Sequence, residues 1–230
     1  MSEIKFSWPA GKSSAIFLAE NIIDENTCSN VLTECKKYYQ TFFSPGPTLG
    51  GIDSSVKNSM DMSWSYQALL DAEVPTEPLT TYENIITQKL FQTIEIYREA
   101  FRWLWTWTNI SDTGFRVQEY RKGIGFYREH IDGGIGPQEA SNRILAAIIY
   151  LNTVEVGGGT FFREHDLMVP ARAGSICLFP TNWTHPHQGC VPISDDKWII
   201  STFIVPTPVS VDSKEIILSS TPMPNDNKKS

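Results

Sequence analysis

The pattern of apolar and polar positions divides the chain into two textures. Near the N-terminus, "SSAIFLAENI" at 13–22 predicts a strand. Asp24 or Asn26 can then cap a helix running through about Tyr39, with Val31, Leu32 and Cys35 on its apolar face. Residues 41–63 are rich in Gly, Ser and Pro and predict a loop, of a length that often forms a lid or binding segment. Across 80–102, Ile85, Ile86, Leu90, Ile94 and Tyr97 recur at helical spacing, with Thr80 or Thr81 as cap. Trp103, Trp105 and Trp107 then alternate, which predicts a strand burying one aromatic face. From Phe115 the texture changes. Short apolar segments with many β-branched residues fall at 115–121, 126–132, 143–152, 159–162, 175–179, 185–191 and 197–205, separated by Gly, Pro and Asn. This spacing predicts a mainly β sandwich or barrel, such as a jelly roll, following a helical N-terminal part. The expected layout is one domain over 1–206, with 1–110 as helical and loop support, 115–205 as the β core, and 207–230 as a flexible tail.

Composition adds limits to this picture. A chain of 230 residues with 41% hydrophobic and 20% charged content suits one large domain with a sizeable core. The longest apolar run, Ile144–Leu151, is far too short to span a bilayer. "MSEIKFSWPAGKSS" has no basic stretch followed by an apolar one, so no secretion signal is expected. Four cysteines are too few for a disulfide scaffold. Cys28 and Cys35 share the first helix, about 10 Å apart and out of bridging range. Reduced thiols and a cytoplasmic setting follow as expectations. A net charge of −7 without a basic block tilts against double-stranded nucleic acid as a partner.

Chemistry enters at "FYREHIDGG", residues 126–134. In a strand, His130 and Asp132 point to the same face and can converge on one ion; alone, the pair is equally explained by an exposed strand edge. A third ligand is needed, and His165, His185 and His187 are the candidates. Two histidines and one carboxylate form a facial triad that holds Fe(II) with open coordination positions, although a catalytic zinc site uses a similar count. Lys197 opens the apolar strand "KWIISTFIV" and shares a face with Ile199, Ser201 and Phe203. A buried ammonium needs an anion; a bound carboxylate can supply it. Alternatively, Lys197 lies at the strand mouth and reaches solvent near Asp195 and Asp196.

Several ordered pieces between Phe115 and Val205 resemble the Fe(II)/2-oxoglutarate-dependent dioxygenases, and among them the prolyl 4-hydroxylase-like group. They are "EYRKGIGFYREHID", a strand from Arg143 ending in "YLN", the turn "GGGTFF" at 157–162, "PARAGSICLFP" at 170–180, and "HQGCVPISDDKWIISTF" at 187–203. The resemblance implies a double-stranded β-helix (cupin-like) core supported by two or more helices. It assigns Fe(II) to His130, Asp132 and His187, preferring His187 to His185 by its spacing from Lys197. Lys197 would pair with the far carboxylate of 2-oxoglutarate, and Tyr120, Tyr150 and Ser201 match groups that contact this cosubstrate. Arg143 and Tyr127 match substrate-side positions; a surface ion pair and core filling are their alternatives. Farther upstream, "VKNSMDMSW" matches a family segment, with Lys57 where arginine is often seen.

The implied reaction consumes 2-oxoglutarate and O2, with ascorbate as an accessory reductant, and hydroxylates a C–H bond, releasing succinate and carbon dioxide. A prolyl residue in a peptide or protein is the leading substrate. A free amino acid or other small molecule is the alternative, and a non-catalytic sensor that binds metal and 2-oxoglutarate comes behind it. No membrane partner is expected. "CVP" in place of Cys-Pro-Val, and Phe203 where tryptophan is common, are departures that bear on the substrate and not on the metal.

Overall fold

A computed structural model describes residues 3–64, 70, 77–101, 109–134 and 138–207. The first strands are β1 (Lys5–Ser7) and β2 (Phe17–Glu20), the latter at the centre of the segment predicted as a strand. Helix α1 (Glu25–Lys37) is capped by Asp24, whose carboxylate accepts from Thr27 N at 2.9 Å and Thr27 Oγ1 at 2.6 Å. Cys28, Val31 and Cys35 form its buried stripe. A short helix α2 (Tyr39–Phe42) follows.

The stretch expected as loop is more ordered than its composition suggests. It contains β3 (Ser44–Pro45), β4 (Lys57–Asn58) and β5 (Met60–Trp64). These strands form because neighbouring sheet edges accept their backbone groups: β4 pairs with β8 (Phe126–His130), and β5 pairs with β7 (Phe115–Tyr120). Tertiary pairing overrides weak local propensity here. Helix α3 (Leu79–Ala100) matches the periodic segment, burying Leu79, Ile86, Leu90, Ile94 and Tyr97. Its N-cap is Pro78, and Thr81 instead bonds the Glu77 carboxylate at 2.7 Å. The tryptophans at 103, 105 and 107 and the tail from 208 lie outside the described residues.

The remaining elements are β6 (Asn109–Asp112), a short α4 (Gln138–Ser141), β9 (Leu145–Tyr150), β10 (Thr160–Phe162), β11 (Leu167–Val169), β12 (Ile176–Pro180), β13 (His187–Gly189) and β14 (Lys197–Thr207). They build two antiparallel sheets. The major sheet runs β1-β2-β12-β9-β14-β7-β5-β3, with β6 also paired to β14; the minor sheet runs β11-β10-β13-β8-β4. This is the double-stranded β-helix architecture.

Period-two alternation divides the apolar residues between two layers. One face of the major sheet (Val117, Ile149, Leu178, Ile200) packs with Val31 and Cys35 of α1 and Ile86, Leu90 and Ile94 of α3. Each such burial contributes roughly 1.5–3 kcal/mol, so the helices act as the backing of the sheet. The other face meets the minor sheet in a second cluster holding Tyr120, Tyr150, Phe162, Phe179 and Ile199. Phe162 and Phe179 meet edge-on across it at 4.8 Å. The "GGG" turn before β10 needs its glycines: Gly157 and Gly158 have φ of 75° and 71°. All four cysteines are free; Cys28, Cys35 and Cys177 are buried and Cys190 is half-buried. Burial pushes the thiols of Cys28 and Cys35 up to about 12 and that of Cys177 higher still. No helix among the described residues is long and apolar enough to cross a membrane.

Candidate metal and cosubstrate site

The minor sheet brings His130 and His187 together. They end β8 and begin β13, and they stand opposite each other in the antiparallel register. Their rings lie 4.3 Å apart. Asp132 falls in a bend just past β8, not in the strand as expected. The chain turns there because the N–H groups of Asp132 and Gly133 both donate to Thr181 O, at 3.1 and 2.9 Å. The turn swings the Asp132 carboxylate between the imidazoles, with Oδ1 3.4 Å from His130 Nε2 and Oδ2 3.4 Å from His187 Nε2. One ligand atom from each of the three residues lies within 4.8 Å of the others.

Second partners orient these ligands. The Nδ1 atoms of His130 and His187 face the carbonyls of Arg128 (2.8 Å) and His185 (3.1 Å). Nδ1–H donation to those carbonyls leaves the Nε2 lone pairs aimed at the common centre. Burial pushes His187 down to about 4, keeping it neutral and able to bind a cation. Burial alone would raise Asp132, but the attraction of His187, His130 and Arg143 outweighs it and holds the carboxylate below its usual value. Arg143 donates to Asp132 O at 3.0 Å and stacks 3.7 Å over Phe203. His185 faces elsewhere: its ring atoms bond Ser14 O at 2.6 Å and Thr184 Oγ1 at 2.8 Å. It stacks near His165 at 4.9 Å, away from the carboxylate. The two-histidine, one-carboxylate donor set, with both Nε2 atoms turned toward the Asp132 carboxylate, fits a ferrous ion.

Lys197 begins β14 opposite Tyr120 and is 1% exposed, so it does not reach solvent. Its ammonium lies 4.4 Å over the Tyr120 ring and meets no carboxylate among the described residues. Asp196 is turned away, accepting from Lys122 N at 2.7 Å. Burial pushes the lysine down to about 8, slightly opposed by Cys190. Toward the minor sheet the ammonium is faced by Gly189, two residues past His187: a Cβ there would sit 3.5 Å from Nζ. A buried cation that meets no anion among the described residues, in the same interior as a cluster able to hold a metal ion, fits a dicarboxylic acid that bridges them.

The other expected residues line the same interior. Tyr150, fully buried, shares a 2.8 Å hydrogen bond with Thr160 Oγ1. Ser201 is half-buried on the face of β14 that carries Lys197 and Ile199. Tyr127 stacks on His130, with ring centroids 3.6 Å apart and planes within 19°. Sequence reasoning missed a polar cluster behind them. Lys57 pairs with Asp61 at 2.7 Å, Gln118 Nε2 donates to Asp61 at 3.2 Å, and Tyr120 donates to Gln118 at 3.0 Å. The signals in the sequence were "VKNSMDMSW", which carries Lys57, and "VQEY", where Gln118 shares a strand face with Tyr120.

Comparison with known proteins finds relatives of the β core and of the fold. Residues 115–205 match the family profile of the 2OG-Fe(II) oxygenase superfamily. Human prolyl 4-hydroxylase subunit alpha-3 is 31% identical over 103 residues, covering 38% of this chain and 19% of that protein. The mouse protein of the same name is 30% identical over the same shares. The chain thus spans about a fifth of the length of these curated relatives. Three solved structures share the fold. A viral collagen prolyl hydroxylase from Paramecium bursaria Chlorella virus-1, in its 2OG complex, has a TM-score of 0.61 at 16% identity, covering 84% of this chain and 97% of that one. A Trichoplax adhaerens prolyl hydroxylase in complex with a hypoxia inducible factor peptide fragment gives 0.63 at 15% identity, covering 84% of each. A Pseudomonas putida prolyl-4-hydroxylase gives 0.60 at 15% identity, covering 84% and 94%.

Proposed function

We propose that this chain, whose residues 115–205 form a 2OG-Fe(II) oxygenase domain of the prolyl 4-hydroxylase-like kind, is a 2-oxoglutarate-dependent dioxygenase. It hydroxylates a prolyl residue of a peptide or protein and releases succinate and carbon dioxide. The observation that carries this reading is a buried Lys197 ammonium that meets no carboxylate among the described residues and is faced by Gly189, two residues past His187, in a fold that also gathers His130, Asp132 and His187 into a cluster able to hold a metal ion. Those three side chains would hold Fe(II), and Lys197 would pair with the far carboxylate of 2-oxoglutarate. Bound together, Fe(II), 2-oxoglutarate and O2 supply the oxidising power to place an oxygen atom in an unactivated C–H bond.

The protein contributes position and environment. Backbone carbonyls fix the two imidazoles, and the Thr181 carbonyl fixes the turn that carries Asp132. Tyr120 and Tyr150, buried in the cluster between the sheets, and Ser201, on the same face of β14 as Lys197, would then contact the cosubstrate. Tyr127, stacked on His130, and Arg143, bonded to the Asp132 carbonyl, would then be the substrate-side residues. The prolyl assignment is supported by the names of the curated relatives and of the solved structures, one of which holds a peptide. Free thiols fit a reducing, cytoplasmic setting.

The test is turnover of a peptide panel with Fe(II), 2-oxoglutarate and ascorbate, read by succinate release and by mass spectrometry for one added oxygen. Asp132→Ala and His187→Ala are expected to abolish both signals. Undiminished succinate from either variant would reject the ligand assignment. Oxygen added to free proline but to no peptide would select the small-molecule alternative.

A further inference from the structure

Two buried lysines border the site, and the fold treats them differently. Lys197 meets no carboxylate among the described residues, whereas Lys57 has one built in. Lys57 is 4% exposed and Asp61 2%, with Nζ 2.7 Å from Oδ2. Asp61 also accepts from Ser59 Oγ at 2.7 Å and from Gln118 Nε2 at 3.2 Å. Because β4 belongs to the minor sheet and β5 to the major sheet, the ion pair ties the two sheets together at this edge.

From this pair, contacts run to both halves of the site. The Lys57 ammonium lies 5.2 Å over the Tyr127 ring, and Tyr127 stacks at 3.6 Å on the imidazole of His130. Tyr127 makes no hydrogen bond among the described residues, so these ring contacts set its orientation. In the other direction, Asp61 holds the Gln118 amide, and Gln118 Oε1 accepts from Tyr120 Oη at 3.0 Å. The Tyr120 ring lies under the Lys197 ammonium. An apolar pair of equal volume would join the sheets as well or better, but it would fix neither tyrosine.

We infer that Lys57 and Asp61 are positioning residues: one buried ion pair orients His130 through Tyr127, and orients the tyrosine beside Lys197 through Gln118. The inference rests on the reading of the site as an Fe(II)/2-oxoglutarate centre.

Single substitutions would break the buried pair, leaving Lys57 alone or Asp61 with only Arg116 at 3.9 Å, and destabilise the protein for that reason. The test is therefore the double variant Lys57→Met/Asp61→Leu, titrated without oxygen with Fe(II) and 2-oxoglutarate and followed by the visible charge-transfer absorption of the ferrous keto-acid chelate. The double variant is expected to unfold within a few degrees of the parent. Its dissociation constants for metal and 2-oxoglutarate should each rise about tenfold, the scale seen when partners behind metal ligands are removed. Parent-like constants in the folded double variant would overturn the inference. Gln118→Met gives an independent check because it cuts the Tyr120 link and leaves the charges in place. Weaker 2-oxoglutarate binding with unchanged metal affinity supports the inference, and unchanged 2-oxoglutarate binding rejects that arm of it. A parent protein that binds neither metal nor 2-oxoglutarate would overturn the reading of the site itself, and this inference with it.

Discussion

Lys197 is the residue on which the cosubstrate assignment turns, and its burial has opposite consequences with and without a ligand. Without a ligand the ammonium meets no compensating carboxylate among the described residues. Lys197→Met should therefore leave the melting temperature of the cosubstrate-free protein unchanged or higher. The same substitution should weaken 2-oxoglutarate by roughly 10- to 100-fold, the value of a charge-assisted hydrogen bond. Calorimetric titration of parent and variant checks both halves. The pH dependence follows from the lysine being held down at about 8. Below that pH it is charged and attracts a carboxylate; above it the neutral amine does not. Affinity should be full on the acid side of about 8 and fall by up to about tenfold per pH unit above it. A flat profile across that range would place the cosubstrate's charged partner elsewhere. Lys197 and the His130/Asp132 pair were legible in the sequence because each broke its local pattern: a cation in an apolar strand, and two ligand types at strand spacing. Lys57 was legible only through its family-like segment, and its pairing with Asp61 was not. They sit in a Gly-, Ser- and Pro-rich stretch that reads as solvent-exposed, and the Gln118 that joins them to the site is 57 positions away.

At the scale of elements, the turn between β9 and β10 bears most directly on the site, because β10 pairs with β13 and places Phe162 opposite His187. Gly157 has φ of 75°, and a Cβ there would fall 2.3 Å from Val191 O. Gly157→Ala should reduce stability by roughly 2 kcal/mol or more, from the left-handed backbone and the clash together; urea unfolding measures it. An unchanged midpoint would mean that the turn relaxes freely. The sequence showed this turn through its glycines and both long helices through their apolar periodicity. It did not show β11, three residues long, or β4 and β5. Strands this short exist only because a neighbouring sheet edge satisfies their backbone groups, and the sequence of the strand does not name its neighbour.

Across the whole molecule, the two candidate histidine ligands and the lysine belong to opposite sheets. His130 and His187 are on the minor sheet, while Lys197 and Tyr120 are on the major one. A dicarboxylic acid chelating the ion and paired with Lys197 would join the two. Mn(II), which binds without redox turnover, and 2-oxoglutarate added together should therefore raise the melting temperature by more than the sum of their separate effects. Simple additivity would indicate that the two occupy independent places. The four thiols carry a further consequence. Three are held in the protonated form by the core, where sulfur has little nucleophilicity and is shielded from oxidants. The fourth, Cys190, is half-buried and close enough to Lys197 to influence it. A maleimide dye should thus label the native protein at one position, giving an optical reporter of ligand binding near Lys197 without any engineered handle.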